Sequence, residues 1–455
     1  LVSLTLALVL PGAVSTSLAV ALPGNTSGLV QPAPVIAAIV FLILAGLRDK
    51  TVAIAARIEQ YLPALVFFVA LPFIDMIIAL KLLIVVVWVG AGVSKLGRHF
   101  VNVIPPMLSN TPFWPPRWFK RSMYRSFPED IRPSRFAHFM AHVMGTTVEI
   151  VAPLVLLFSQ NIWLTLACVV LIVGFHLFIV STFPLAVPLE WNLLFCYGAI
   201  FLFLGFPGWD GYALTDIATG WVLAAVIAAL IFFPVLGNLR PDKVSFLPSM
   251  RQYAGNWASA LWTFTPGAEA KLNAVVRPTR NQVDQLQQMG YPAEVAEITM
   301  QQTLAWRSMH SQGRGLFSVL YRSLPDLETR TIREAEFACN SVIGFNFGDG
   351  HLHNEDLIRA LQARCHFAPG EFVVVWVESQ PIHKATQEYK VVDAALGVIE
   401  RGRWRVADAV AAQPWLPDGP IPLDVFWKAS PGGSDTAVTN DLRTVASSRT
   451  RKVPR

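Results

Sequence analysis

Three ionisable side chains sit in stretches too apolar to offer them water: Lys95, Glu149 and His176. An ionisable group inside a membrane span costs about 2.5–3.5 kcal/mol on insertion scales, so each needs a partner, a wet cavity or a chemical task. Lys95 closes the run Trp88-Val-Gly-Ala-Gly-Val-Ser-Lys95, where Gly90, Ala91, Gly92 and Ser94 allow a neighbouring backbone to approach closely. An amine enclosed by such packing is stripped of water, the setting in which lysine serves as general base or nucleophile. The alternative is a lysine at a span end that snorkels towards Arg98 and His99. His138, His142, Gly145 and Glu149 recur at intervals of four, three and four, which places them on one face of an α-helix. His176 and Glu190 follow on later segments and could turn into the same interior. The stripe reads as a polar seam facing a cavity, with Glu149 and His176 deepest and with His142 and Glu190 as binding groups. The competing reading, zinc or iron held by the His-x-x-x-His pair and a carboxylate, lacks the dense histidine clusters of membrane desaturases, so no metal is expected. Asp75 and His138 fall near span ends, and Lys81 could pair with Asp75 or reach towards an interface.

The elements that must position these groups follow from composition. Of 455 residues, 53% are hydrophobic and only 15% charged, and mean hydropathy is +0.47, which excludes a disordered chain and an ordinary soluble enzyme. The four cysteines form no CxxC, so neither a disulfide framework nor a zinc ribbon is expected. Residues 1–262 carry fifteen Lys and Arg against ten Asp and Glu, so the whole surplus of +5 lies there. That part reads as a transmembrane helical domain of about seven to eight spans: 1–22, 33–47, 61–71 running past Pro72 into 74–97, 137–158, 162–182, 187–205 and 220–236. The chain opens at Leu1 inside an apolar run, so further spans are expected before it. Three basic loops, with Arg48, Lys50 and Arg57, then Arg117 to Arg135, then Arg240, Lys243 and Arg251, fall on one side. The positive-inside rule makes that side the cytoplasm of a cytoplasmic (inner) membrane.

Residues 263–428 read as a cytoplasmic α+β domain, with helices at 279–289, 292–311, 329–342 and 353–365 and a strand at Phe372–Val377. Val391–Glu400 and Trp404–Ala409 are expected to flank a hairpin turn at Arg401-Gly402-Arg403. Residues 429–455 read as a disordered tail. Gly344–Asp356 could offer Asp349, His351 and His353 to a metal or its glycines to a phosphate; a turn with Asn354 capping the next helix is the simpler reading. Cys339 reads as buried and structural. Polar residues from Trp306 to Arg314 read as packing or membrane docking. This half is charge-balanced and has no basic stripe, so no nucleic acid is expected; membrane lipid, and a protein partner of the cytoplasmic domain, are.

Ala91-Gly92-Val93-Ser94-Lys95-Leu96, Glu149 with Pro153, and Gly174-Phe175-His176 together resemble the membrane core of vitamin K-dependent gamma-carboxylase and of the horizontally transferred transmembrane domain proteins, over about residues 60–205. The resemblance implies that Lys95 is the base that deprotonates a reduced quinone. The chain as a whole also resembles actinobacterial multi-pass membrane proteins to which no activity is assigned. Ser94 replaces a lysine of the carboxylase motif, and His99-Phe100 stand where its tryptophan belongs. The expectation is therefore a pocket for a quinone or another isoprenoid or acyl lipid, with Lys95 as base and Glu149 and His176 governing its protonation. A non-catalytic protein that binds or moves envelope lipids, or a scaffold, is the alternative, and a His-ligated metalloenzyme the third.

Overall fold

The computed structural model describes residues 32–111, 114–182, 189–218, 220–245, 249–275, 281–336, 338, 354–429 and 436–437. The first expected span, Cys339 and the loop 344–353 lie outside them.

A helix with no polar face must be buried on all sides or face lipid, and the membrane half contains both kinds. Helix Phe73–Ser94 is central, with 78% of its apolar window buried, against 28% in Ile162–Thr182 and in Gly220–Leu239, which turn Leu, Ile and Phe side chains outward. Among the described residues four helices are long and apolar enough to cross a membrane: these three and Arg135–Phe158. Leu189–Phe203 and Gly208–Asp216, bent by 44°, make a fifth if they are one broken span. The seven to eight spans expected from sequence are therefore not found among the described residues. At about 1.5 Å per residue, the 17 residues of Pro32–Arg48 and the 13 of Ile58–Ala70 fall short of roughly 30 Å of hydrocarbon. The expected Asp75–Lys81 pair is not made either. Lys81 Nζ donates to the Tyr212 carbonyl at 2.8 Å, and Asp75 Oδ1 accepts from the Ala218 amide at 2.9 Å, so both charges fasten the loop after the bent helix.

The C-terminal half is an antiparallel sheet covered on both faces. The strands are a small outlying hairpin β1 (Tyr124–Ser126) and β2 (Asp130–Pro133), then β3 (Ala258–Phe264), β4 (Thr331–Glu334), β5 (Phe372–Glu378), β6 (Thr386–Asp393), β7 (Gly397–Arg405), β8 (Asp424–Lys428) and β9 (Thr436–Ala437). The seven-stranded order is β4-β3-β5-β6-β7-β8-β9. Because side chains alternate along a strand, Ala260, Trp262 and Phe264 face a core shared with helix Glu355–Cys365, while Leu261 faces helix Ser311–Ser323. All seven residues of β3 are buried. This strand straddles the boundary expected at 262, and β9 lies within the expected tail. Part of the helix expected at 329–342 is β4. The turn expected at Arg401–Arg403 is also corrected: the chain reverses at 394–396, where Asp393 Oδ1 accepts from the Ala395 and Leu396 amides and Gly397 takes φ 82°. Gly402 is a mid-strand residue beneath Tyr389, whose ring leaves no room for a Cβ. Asn354 does cap its helix, accepting from the Asp356 and Leu357 amides at 3.1 and 3.3 Å.

The two halves pack directly. The chain leaving Gly220–Leu239 passes between them: the Arg251 guanidinium donates to the Ser379 and Asn238 carbonyls, the Gln252 amide to Gln380 O, and the Tyr253 amide to Ser94 O. His99 Nδ1 meets Ser311 Oγ at 2.8 Å.

Candidate functional site

Lys95 is the residue that ends helix Phe73–Ser94, so its amine leaves the central helix at the junction of the halves. Gly92, one turn earlier, sets the approach of the next helix: a Cβ there would stand 2.6 Å from Ile150 Cγ1 and 3.1 Å from Glu149 Cβ. The small-residue face read from sequence thus acts through Gly92. It delivers the Glu149 carboxylate to Lys95, whose Nζ donates to both oxygens, with 2.6 Å to Oε2. The pair is sheltered, the side chains being 15% and 5% exposed. Phe100 lies with its ring centroid 5.6 Å from the ammonium.

Lys95, Glu149 and His176 line one cavity of about 1390 Å3, walled by Trp88, Trp191 and Phe195 of the membrane half and by Tyr253, Trp257 and Trp306 beyond it. His176 is pinned. Trp88 Nε1–H donates to its Nε2 at 2.9 Å, so the ring proton belongs on Nδ1, which meets Asn192 Oδ1 at 2.7 Å. Both ring nitrogens are thus engaged, and His176 forms a fixed part of the wall.

His142 and Glu190 do not join this cavity, which corrects their expected place in it. His142 sits in a π-helical stretch, Phe139–Gly145, followed by another at Thr147–Val151. Bonding from i to i+5 widens the turn, so the seven residues from His142 to Glu149 no longer complete about two turns, and the two part faces. The His142 ring stands 6.2 Å from that of His138, away from His176. Glu190 turns to Arg57, 2.8 Å away, and to Tyr61, and its side chain is 57% exposed. Among the described residues no three His, Cys, Asp or Glu side chains converge as metal ligands.

The sequence reading missed Trp88 and Asn192, although an asparagine in an apolar helix is itself a signal. It also missed the far wall. Arg307 and Glu336 line the cavity, with Arg307 bound to Glu334 through Nε and Nη2 at 3.0 and 2.8 Å. His310, wholly buried beside them, is held well below the usual histidine range by loss of water and by the Arg307 and Arg314 guanidiniums. Gly255, at φ 90°, is required here: a Cβ would lie 2.4 Å from the His310 ring.

No curated protein and no solved structure matches the chain. A family described as transmembrane protein of unknown function, DUF3556, matches residues 1–426, which takes in both halves and every wall of the cavity. The chain belongs to this transmembrane family.

Proposed function

We propose that the protein lies in the cytoplasmic membrane with its C-terminal domain on the cytoplasmic side, and takes a quinone or another isoprenoid lipid into the cavity, where Lys95 and Glu149 handle a proton at its polar end. One observation carries the reading: the amine singled out by the carboxylase-like motif is paired with Glu149 on the wall of a large apolar cavity. Its volume exceeds the roughly 300–1000 Å3 of ordinary small-ligand pockets, which suits a long tail. The orientation is supported by the basic loops, since Arg132 and Arg251 reach the C-terminal domain and Lys50 lies 3.9 Å from Asp242 after the last span.

The chemistry needs one transfer within the pair. The Lys95 ammonium passes a proton to the Glu149 carboxylate, leaving a neutral amine beside a neutral acid. The amine then takes the proton of a quinol hydroxyl, leaving the anion on the quinol oxygen beside the restored ammonium. Trp88, His176 and Asn192 hold the wall. The test is consumption of reduced quinone under oxygen by purified protein. Wild type is expected to consume it and Lys95→Ala to lose the activity; equal rates overturn the role of Lys95. A second reading, lipid binding or transport without catalysis, is favoured by the engagement of Nζ with both Glu149 oxygens, and would be seen as a bound lipid with no quinol turnover in wild type.

A further inference from the structure

A residue that lines a cavity and is also open to the outside marks a mouth. On the two membrane helices Arg135–Phe158 and Ile162–Thr182, Met144, Val170 and Leu171 line the cavity and are 43%, 62% and 41% exposed. Gly174, on the same wall, is exposed too. It marks the gap itself, because a Cβ built there would meet no atom of the described residues within 4 Å. Gly92 and Gly255 are glycines because a neighbour presses on them; Gly174 has no such neighbour. Glycine weakens a helix interior, and here no close approach offsets that weakness.

The helices open at this point. They are packed together through Ala152–Phe158, beside the turn that joins them, less along Thr147–Val151, and they part towards Phe139–Gly145. Met144 and Gly174 are about equally far along the chain from that turn. From Met144, Gly145 and Val148 continue the cavity wall inward along one helix to Glu149, which holds Lys95.

Depth decides what passes through the gap. Val170 is eight residues from the start of Ile162–Thr182 and Gly174 eight from its end. At roughly 1.5 Å per residue each lies about 12 Å from the nearer helix end, so the mouth is central in the span and opens into hydrocarbon. Its lip of Met144, Val170, Leu171 and Gly174 offers no side-chain hydrogen bond or charge, which suits an alkyl or isoprenoid chain and no polar head.

We infer that the gap at Gly174 is a lateral portal, through which the hydrocarbon tail of the bound lipid passes into the bilayer while its polar end stays at Lys95 and Glu149. The inference rests on the lipid reading of the cavity given above and adds the route of the tail and the residue that keeps it open.

The test uses the full chain in detergent and the saturable quenching of its tryptophan fluorescence, with Trp88, Trp191, Trp257 and Trp306 on the cavity wall as reporters. The probes are menadione, which has no tail, and its geranylgeranyl derivative. Gly174→Phe fills open space without a clash at Cβ, and should weaken binding of the tailed quinone at least about tenfold while leaving menadione within about twofold of wild type. Gly174→Ala, whose methyl meets nothing, should bind both probes as wild type does. If Gly174→Phe binds the tailed quinone as tightly as wild type, the portal is overturned and the lipid cavity stands. If neither probe quenches wild type, the lipid reading falls and the portal with it. Should Gly174→Phe lose menadione as well, or fail to fold, Val170→Phe on the same lip decides: selective loss of the tailed probe supports the portal, and unchanged binding of both overturns it.

Discussion

Two buried ion pairs flank the cavity, and they are built on different terms. Lys95 and Glu149 come from two membrane helices, approach because Gly92 has no side chain, and meet through both carboxylate oxygens. Arg307 and Glu334 come from a helix and a strand of the C-terminal domain, with Glu336 as a third charge and one guanidinium nitrogen left over. In the first pair the ammonium engages both carboxylate oxygens; in the second one buried guanidinium nitrogen has no hydrogen-bond partner among the described residues.

The sharpest way to break the comparison is to remove one partner at a time. A lone buried charge costs about 3–5 kcal/mol, so Glu149→Leu and Arg307→Met should both destabilise strongly in denaturant unfolding, Arg307→Met more because it strands two carboxylates. The double variant Lys95→Met, Glu149→Leu should recover most of its loss, as apolar replacements of a whole pair often do. If it does not, the pair has structural partners beyond itself.

Next in size is the junction. Burial, and then the Arg314 guanidinium, lower the His99 pKa to about 4, and His310 is lowered too. An unfolded histidine titrates near 6.5, so between about pH 6.5 and 4 the unfolded chain binds protons that the native state refuses. Stability is therefore fully present above about pH 6.5 and falls as pH drops towards 4, by up to about 1.4 kcal/mol per pH unit for each such group. Thermal unfolding of wild type should show that slope, and His99→Asn should flatten its share. A slope unchanged in His99→Asn would remove His99 from the account.

Gly92→Ala should cost about 1–3 kcal/mol by forcing Glu149 and Ile150 away, and should lower quinol consumption without removing any charged group. The smallest effect is expected at Arg359, paired with Asp356 where both side chains are 75% exposed: Arg359→Ala should change stability by less than about 0.5 kcal/mol.

The site was half legible in the sequence for identifiable reasons. Lys95 and Glu149 could be found because charge in an apolar run is expensive and glycine marks close approach. His142 was misplaced because a stripe is counted at the α-helical period, and the π-helical turns of 139–151 leave no mark in residue type. Strand β3 passed for the end of the membrane half because a strand buried on both faces is as uniformly apolar as a span. The Arg401–Arg403 segment looked like a turn, yet its arginines point outward from β7 and Gly402 serves the Tyr389 ring. Arg307 was read as packing because its partner Glu334 lies 27 residues away on another element. Spacing reports neighbours on one helix and is silent about such pairs.

The central claim, that one lipid lodges in the cavity against Lys95 and Glu149, is tested most directly by mass spectrometry of lipids that co-purify with the detergent-extracted protein, wild type beside the Lys95→Met, Glu149→Leu double variant. The account predicts a single isoprenoid lipid near one per chain on wild type and its depletion from the variant. A lipid profile identical to the bulk membrane in both samples would contradict it.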